Sequence, residues 1–425
     1  MKILQIASGD FFSTYGGGQV YVKNVVEEII RQGLEVVIFS FVGKEIYTEE
    51  KDYKGVSLWE IGTRATSFDI KELVRGISPD IIHAHSQKAL FATIGERLHI
   101  PVVITAHHGG ILCPAGTLMN AEDCICQTSL SHEHCLKCCL ANIRTGRSWY
   151  PLMKLLPKKN YIQLGKTLEK LPFIPFVTPI GGVALSIENK IKEWQTICDN
   201  ATKVIAPSNA IAEAMCRNGL SRDKVSVIPH GIPKAAPAVI EKKQDDKIRF
   251  FYVGRIGRVK GINILLEAFT GIANSEKAEL HIIGEGGKSP AGMRYMKSLY
   301  SKYPDSNIIW HGKVPSEKVY DTIKDFDIMV HPAIYLEVFG LNMSEALAMN
   351  KPVLATRCGG AEMQIVENVN GWLIEPNNVE MLREKIDELI VNGVSFDTTS
   401  LNQNVISLKQ HVKTLEKLYA NMLYL

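Results

Sequence analysis

The sequence predicts an α/β protein made of two doubly wound domains, and three observations predict it. Short apolar runs alternate with amphipathic segments along most of the chain, the mark of parallel sheets crossed by helices. The 425 residues exceed what one ordinary hydrophobic core holds. From Pro233 to Asp246 the chain turns to alanine, proline and charge, the composition of a linker. The boundaries that follow are a first domain at 1–233, a second at 234–404, and a final segment, 405–425, expected to cross back to the first.

Composition narrows the class. Hydrophobic residues make up 46% of the chain and charged residues 22%, the balance of a soluble globular protein. A net charge of +3, with no basic block interleaved with aromatics, argues against a nucleic-acid partner. The apolar run at the amino terminus, Met1 to Ala7, is too short for a signal peptide, and no run approaches the length of a membrane span. These features point to the cytoplasm, where the nine cysteines read as thiols or metal ligands before disulfides.

In the first domain, residues 2–7 read as a buried strand. Tyr15-Gly16-Gly17-Gly18-Gln19 then opens an amphipathic helix from Val20 to Arg31 that ends at Gly33. Gly17 and Gly18 let backbone approach a ligand closely, as in other strand-to-helix phosphate turns. Further strands are expected at Glu35–Phe39, Val56–Trp59, Asp80–Ala84 and Val102–Ala106. Two of these end in histidines, His83 and His85, then His107 and His108. Open α/β sheets bind ligands beyond the carboxyl ends of their strands, so these side chains sit where chemistry is expected. A hydrogen-bonded core residue is the simpler reading for His83, which alternates with apolar neighbours.

Six of the nine cysteines fall between residues 113 and 139, with His132 and His134 among them. Cys135-x-x-Cys138 has metal-ligand spacing, and four thiolates suffice for a structural zinc or an iron–sulfur cluster. Cys113, Cys124, Cys135 and Cys138 are the expected ligands, with disulfides or free thiols as the alternative. Residues 144–180 break the strand–helix alternation. Arg144, Arg147, Lys154, Lys158, Lys159, Lys166 and Lys170 face one acid, Glu169, beside Trp149, Tyr150, Leu152, Leu155 and Phe173. That mixture suits a peripheral membrane contact, while its five prolines fit a lid or surface insertion instead. A strand at Lys203–Ala206 and the run Val225 to Pro233, with His230, close the domain.

The second domain opens with a strand at Ile248–Val253 and the turn Gly254-Arg255-x-x-x-x-Lys260-Gly261. Arg255 presents a planar fork and Lys260 a point charge, both suited to phosphate oxygens. Strand ends at Gly284-x-Gly286 and at His311-Gly312-Lys313-Val314 follow. Val330 to Met349 then reads as strand, glycine turn and helix, with Glu337 in the loop and Glu345 eight residues on, in the first helical turn. A helix amino terminus favours phosphate, and two carboxylates can accept from hydroxyls, so together they suit a sugar nucleotide. Glu362 reads as a helix amino-terminal carboxylate, and Asp325-Phe326-Asp327 lies at a strand entrance, away from any such site.

Glu337-x-Phe339-Gly340-Leu341-x-x-x-Glu345-Ala346 resembles the paired-glutamate signature of the retaining family 4 glycosyltransferases. The resemblance spans nearly the whole chain and implies the B-type fold, two Rossmann-like domains facing a central cleft. It implies transfer of a sugar from a nucleoside-diphosphate sugar to a hydroxyl of a glycan or lipid-linked acceptor, without a catalytic cofactor. By the same resemblance Arg255 and Lys260 take the departing diphosphate, and Glu337 holds the donor sugar. Glu345 holds the ribose, and Phe339, Gly340 and Leu341 present backbone to sugar and phosphate. Gly254, Gly286, Lys313 and Val314 border the nucleotide, and Thr105-x-His107 places His107 beside the reacting sugar carbon. His107 followed by Cys113-Pro114 and a Cys-rich insertion also resembles some members. A sugar-nucleotide epimerase of the same fold and a non-catalytic sugar-nucleotide or metal sensor are the alternatives.

Overall fold

The computed structural model describes residues 1–7, 9–12, 16–143, 146–155, 157–169, 178–233, 247–287, 289–393 and 398–423. The expected linker at 234–246 and the cations Arg144 and Lys170 lie outside them, as does Phe173. The chain divides into two units. The first is Met1–Ala121, Cys126–Gly231 and Leu408–Leu425; the second is Glu122–Ile125 and Ile232–Ser407.

The first unit carries strands β1 Lys2–Ile6, β2 Glu35–Phe41, β3 Thr48–Tyr53, β4 Val56–Ile61, β5 Ile81–Ala84, β6 Val102–Thr105, β7 Lys203–Ala206 and β8 Val225–Val227. They form one sheet in the order β3-β4-β2-β1-β5-β6-β7-β8. Every pairing is parallel except β3 with β4. The central strands are apolar on both faces, as a sheet covered by helices on both sides requires: Ile3, Leu4, Ile6, Ile81, Ile82, Val102 and Val103 are fully buried. β3, Thr-Glu-Glu-Lys-Asp-Tyr, is a strand that the sequence reading lacks. It is an edge strand with charged side chains, held by pairing and by polar contacts such as Tyr53 Oη to Glu27 at 2.6 Å and Lys51 to Glu60 at 2.8 Å, and no apolar alternation advertises it.

The helix Gly17–Arg31 turns Tyr21, Val22, Val25, Val26 and Ile29 inward at helical spacing. The helix Leu408–Leu423 packs on it within the first unit. The segment 144–180, read as a break in the alternation, contributes helices Gly146–Leu155 and Lys158–Glu169 and the start of Thr178–Asn200.

The second unit carries β9 Ile248–Val253, β10 Ala278–Ile283, β11 Ile308–Gly312, β12 Ile328–His331, β13 Val353–Thr356 and β14 Gly371–Ile374. All pair in parallel in the order β11-β10-β9-β12-β13-β14. Counted from its own first strand this is 3-2-1-4-5-6, the doubly wound order, whose topological switch lies between β9 and β12. Its core gathers Phe251, Met329, Met343, Leu347, Val353 and Ala355 around the helix Leu341–Ala348. In the first unit the equivalent switch lies between β1 and β5. The expected site residues therefore emerge where an open α/β sheet has its crevice.

Candidate active site

In the second unit, β9 runs out into Gly254 and Arg255, and β12 into His331 and Pro332. Gly261 locks the two strand ends together. Its φ is 70°, and a Cβ there would stand 1.7 Å from the Pro332 carbonyl oxygen, so only glycine fits. Gly284 fits as closely, with a Cβ position 1.8 Å from the Gly254 carbonyl oxygen. Gly286 bridges to Ile256. The backbone of the turn is thus set by strand-end contacts before any ligand arrives.

Lys260 and Glu337 meet directly. Lys260 Nζ donates to Glu337 Oε2 at 2.5 Å and to Tyr335 Oη at 2.6 Å, and Tyr335 Oη donates to the same carboxylate oxygen at 2.6 Å. His331 Nε2 lies 3.6 Å from that oxygen. Burial alone would push the Glu337 carboxyl up; the Lys260 charge, with the hydrogen bond and charge of His331, outweighs it and holds the carboxyl well below its ordinary range. The backbone of Glu337 is pinned too, its N–H donating to Cys358 O at 2.7 Å and its carbonyl accepting from Gly360 N at 2.8 Å. A buried, fixed, ionised carboxylate beside a fixed ammonium can accept from hydroxyls while the cation faces phosphate. Arg255 is exposed and has no carboxylate partner among the described residues, so its guanidinium is available to an anion.

The helix Leu341–Ala348 starts at Gly340, in the left-handed region at φ 84°, with no side-chain cap. Glu345 falls in its second turn, one turn later than the sequence reading has it, because the helix begins at Leu341. Burial pushes the Glu345 carboxyl up from its ordinary 4.5 to about 7, so near neutral pH it holds its proton about half the time. Asn342 ties the helix start to the switch, donating to Val253 O at 2.7 Å. Phe339 is buried, and its carbonyl accepts from Gln364 Nε2 at 2.5 Å while Ser344 Oγ donates to Gln364 Oε1 at 2.6 Å. Lys313 pairs with Glu285 at 3.5 Å, and Val314 packs on the core beside it. Glu362 Oε2 accepts from Gly359 N at 2.7 Å, as a helix amino-terminal carboxylate does. Asp327 accepts from Arg249 N at 2.7 Å at the entrance of β9, opposite the switch.

Tyr335, Asn342 and Gln364 are functional contacts that sequence reading missed. Tyr335, two residues before Glu337, is the one with a local signal: a lone phenol next to a buried carboxylate needs a partner.

In the first unit, Gly17 and Gly18 are not a turn before the helix, as the sequence suggests, but its first two residues, because the helix starts at Gly17 rather than Val20; His107 follows β6. A Cβ at Gly18 would stand 3.4 Å from His107 Cβ and 3.8 Å from its Nδ1, so the helix start backs onto the imidazole. His107 Nε2 lies 2.8 Å from His85 Nδ1. His83 is the satisfied core histidine its setting suggests, between Tyr419 Oη at 2.6 Å and Thr105 Oγ1 at 2.7 Å. His230 lies against Tyr21 with ring centroids 4.0 Å apart and the rings tilted by 36°.

The Cys-rich segment does not assemble the expected ligands. Among the described residues, no group of three or more His, Cys, Asp or Glu side chains is arranged to hold a metal ion. Cys124 is exposed and belongs with the second unit. Burial, and then the neighbouring Cys113, Cys138 and Cys126 thiols, push Cys135 up to about 11, so the thiol grouped with Cys135 is Cys126 rather than Cys124. Residues 122–125 leave the cluster because they pack with the other unit. No helix among the described residues is long and apolar enough to cross a membrane.

With this geometry in hand, comparison with known proteins is informative. Residues 237–406 match the family profile described as Glycosyl transferases group 1, and residues 15–120 match the one described as Glycosyltransferase Family 4. An uncharacterized glycosyltransferase of Methanocaldococcus jannaschii is 30% identical over 257 residues, covering 58% of this chain and 67% of that protein. The phosphatidylinositol N-acetylglucosaminyltransferase GPI3 subunit of Saccharomyces cerevisiae is 28% identical over 217 residues, 48% of this chain and 47% of that one. The matched region thus spans about half the length of several such relatives, 51% for a second Methanocaldococcus glycosyltransferase. Among solved structures, Anabaena HepE in complex with UDP and glucose superposes with a TM-score of 0.65 at 16% identity, covering 99% of this chain and 100% of that one. The lipopolysaccharide outer core galactosyltransferase WaaB superposes at 0.63 and 16%, with coverage of 99% and 100%. These structures share the B-type glycosyltransferase fold.

Proposed function

This chain belongs to the family 4 glycosyltransferases, and we propose that it moves a sugar, with retention of anomeric configuration, from a nucleoside-diphosphate sugar to an acceptor hydroxyl. The observation that carries this reading is the pair of half-buried Lys260 and buried Glu337 at the topological switch, in the same turn region as an exposed Arg255. In the reaction the bond from the anomeric carbon to the diphosphate oxygen breaks and one to the acceptor oxygen forms. The acceptor proton passes to the departing diphosphate. Charge therefore grows on the diphosphate, and Arg255 with Lys260 is the group that stabilises it. Glu337 accepts from the donor sugar's hydroxyls, and ionised Glu345 from those of the ribose. Gly254, Gly286, Lys313 and Val314 border the nucleotide, and Phe339 to Leu341 offer backbone to sugar and phosphate. A neighbour that binds UDP and glucose on the same fold supports this class of donor.

The acceptor we propose is a glycan or lipid-linked hydroxyl. The helix Gly146–Leu155 supports a peripheral membrane contact, since it exposes Leu152 and Leu155 beside Arg147 and Lys154. Flotation with vesicles containing anionic lipid should carry the wild-type chain and leave a Leu152→Ser, Leu155→Ser variant behind; equal flotation contradicts the contact. A structural zinc or iron–sulfur cluster in the Cys-rich segment stays a separate proposal. Elemental analysis of wild type against Cys135→Ser, Cys138→Ser decides it.

The transfer reading is tested by incubating the chain with a panel of nucleoside-diphosphate sugars and acceptors. The product's anomeric configuration is then read by NMR. A product of inverted configuration contradicts retention, and an isomerised donor without transfer favours the epimerase.

A further inference from the structure

We propose that Gln5 and His85 are positioning residues that hold His107 in its Nε2–H tautomer, leaving Nδ1 as a bare acceptor for a substrate hydroxyl. The substrate part rests on the transferase reading; the tautomer does not. Gln5, on β1, is fully buried, and His85, at the end of β5, nearly so. Gln5 Oε1 lies 2.9 Å from His85 Nε2. A carbonyl oxygen only accepts, so His85 carries its proton on Nε2. Neutral imidazole has one ring proton, so His85 Nδ1 is an acceptor. The 2.8 Å contact to His107 Nε2 is then an N–H donated by His107. The His107 proton is spent there, and Nδ1 keeps a lone pair. That atom is buried and has no hydrogen-bond partner among the described residues.

Two observations fix the direction of this chain. Both rings are neutral: burial first, then the positive charges that His83, His107, Lys88 and His230 would bring, holds His85 well below its usual range. Burial, with His230, Lys88, His108 and His83, does the same for His107. The second observation is the Gln5 amide orientation. In this orientation Tyr419 Oη, 2.6 Å from His83 Nδ1, donates to it, and His83 places its proton on Nε2, 2.7 Å from Thr105 Oγ1. The Tyr419 oxygen, its proton used, then accepts from Gln5 Nε2 at 3.5 Å. Turning the amide over would require His83 to carry its proton on Nδ1 and Tyr419 to donate to Gln5 instead. It would also reverse the relay and strand an N–H on His107 Nδ1, and a buried orphan donor is rarer than an orphan acceptor. The first turn of the helix Gly17–Arg31 lies beside Nδ1 and has no Cβ at Gly18.

The test is two-bond 1H–15N correlation spectroscopy on the full chain labelled with 15N-histidine, His107 being assigned by its loss in His107→Gln. Wild type without ligand at pH 7 should show the His107 proton on Nε2. In Gln5→Glu the carboxylate draws a second proton onto His85, whose Nδ1–H then donates to His107 and moves the His107 proton to Nδ1. Transfer should fall about tenfold or more in the same variant, because Nδ1 can no longer accept from the substrate hydroxyl. His85→Asn, whose side-chain oxygen can replace Nδ1 as acceptor, should recover at least tenfold over His85→Leu. A wild-type His107 protonated on Nδ1 overturns the proposal, as does a Gln5→Glu variant with a displaced tautomer and unchanged transfer. Wild type with the stated tautomer but no transfer from any donor would sink the transferase reading and leave the tautomer standing.

Discussion

Replacing Glu345 by glutamine should stabilise the protein at alkaline pH and weaken nucleotide binding. Burial raises the Glu345 carboxyl from 4.5 to about 7. The folded chain therefore binds its proton more tightly than the unfolded chain does. Below about pH 4.5 both forms are protonated and nothing is gained or lost. Between 4.5 and 7 the unfolded chain gives up its proton first, so stability falls as pH rises, and above 7 the loss is complete. A span of about 2.5 on the pH scale, at about 1.4 kcal/mol for each, gives about 3 kcal/mol as an upper value, because part of the side chain stays within reach of water. Glutamine copies the protonated form in shape and carries no charge. Urea unfolding of wild type and Glu345→Gln at pH 4.5 and pH 8 measures the difference. The variant should match wild type at pH 4.5 and exceed it at pH 8 by up to about 3 kcal/mol. On the proposed reading, in which ionised Glu345 accepts from the ribose hydroxyls, wild-type nucleotide affinity should drop as pH falls below 7, and the variant should lose that dependence. A variant less stable than wild type at pH 8 would refute the reasoning.

Other perturbations separate the remaining parts of the site. Arg255→Ala should lower transfer by about 10²–10³-fold while leaving the fold intact, because it removes an exposed charge; circular dichroism and initial rates check both halves. Gly261→Ala should destabilise the protein by about 1–3 kcal/mol from backbone conformation alone, and by more because the obstructing atom is the Pro332 carbonyl oxygen; thermal unfolding reads it. Gln364→Leu should cost about 1–3 kcal/mol by removing its hydrogen bonds to the Phe339 carbonyl and the Ser344 hydroxyl, and raise KM for the donor through the loosened loop.

The parts of the fold that the sequence shows are those written in local chemistry. The strands β1, β2, β5, β6, β7 and β9 are apolar runs, and the glycines at 254, 261 and 340 stand where strand ends need them. β3 is not legible, because an edge strand of Thr, Glu, Lys and Asp lacks the apolar pattern of a buried one. In the site, Arg255, Lys260, Glu337 and Glu345 announce themselves by type and spacing. Their state does not: only folding reveals that Tyr335 completes the Lys260–Glu337 pair and that burial leaves Glu345 near neutrality. His85 illustrates the limit most clearly. From sequence it reads as a cleft-lining residue, yet it joins Gln5 to His107, a contact between three strands' ends that no local pattern encodes. In the Cys-rich segment, Cys135-x-x-Cys138 is a local pattern, but that Cys124 falls in the second unit is written in no local spacing.

The central claim is that Lys260, held by Glu337 at the switch between β9 and β12, stabilises the departing diphosphate. It is tested most directly by the initial rate of sugar transfer at saturating donor, wild type against Lys260→Ala, using the donor whose nucleotide best protects the chain against heat. The account predicts a fall of about 10²-fold or more in kcat. Near-normal transfer by a folded Lys260→Ala variant would contradict it.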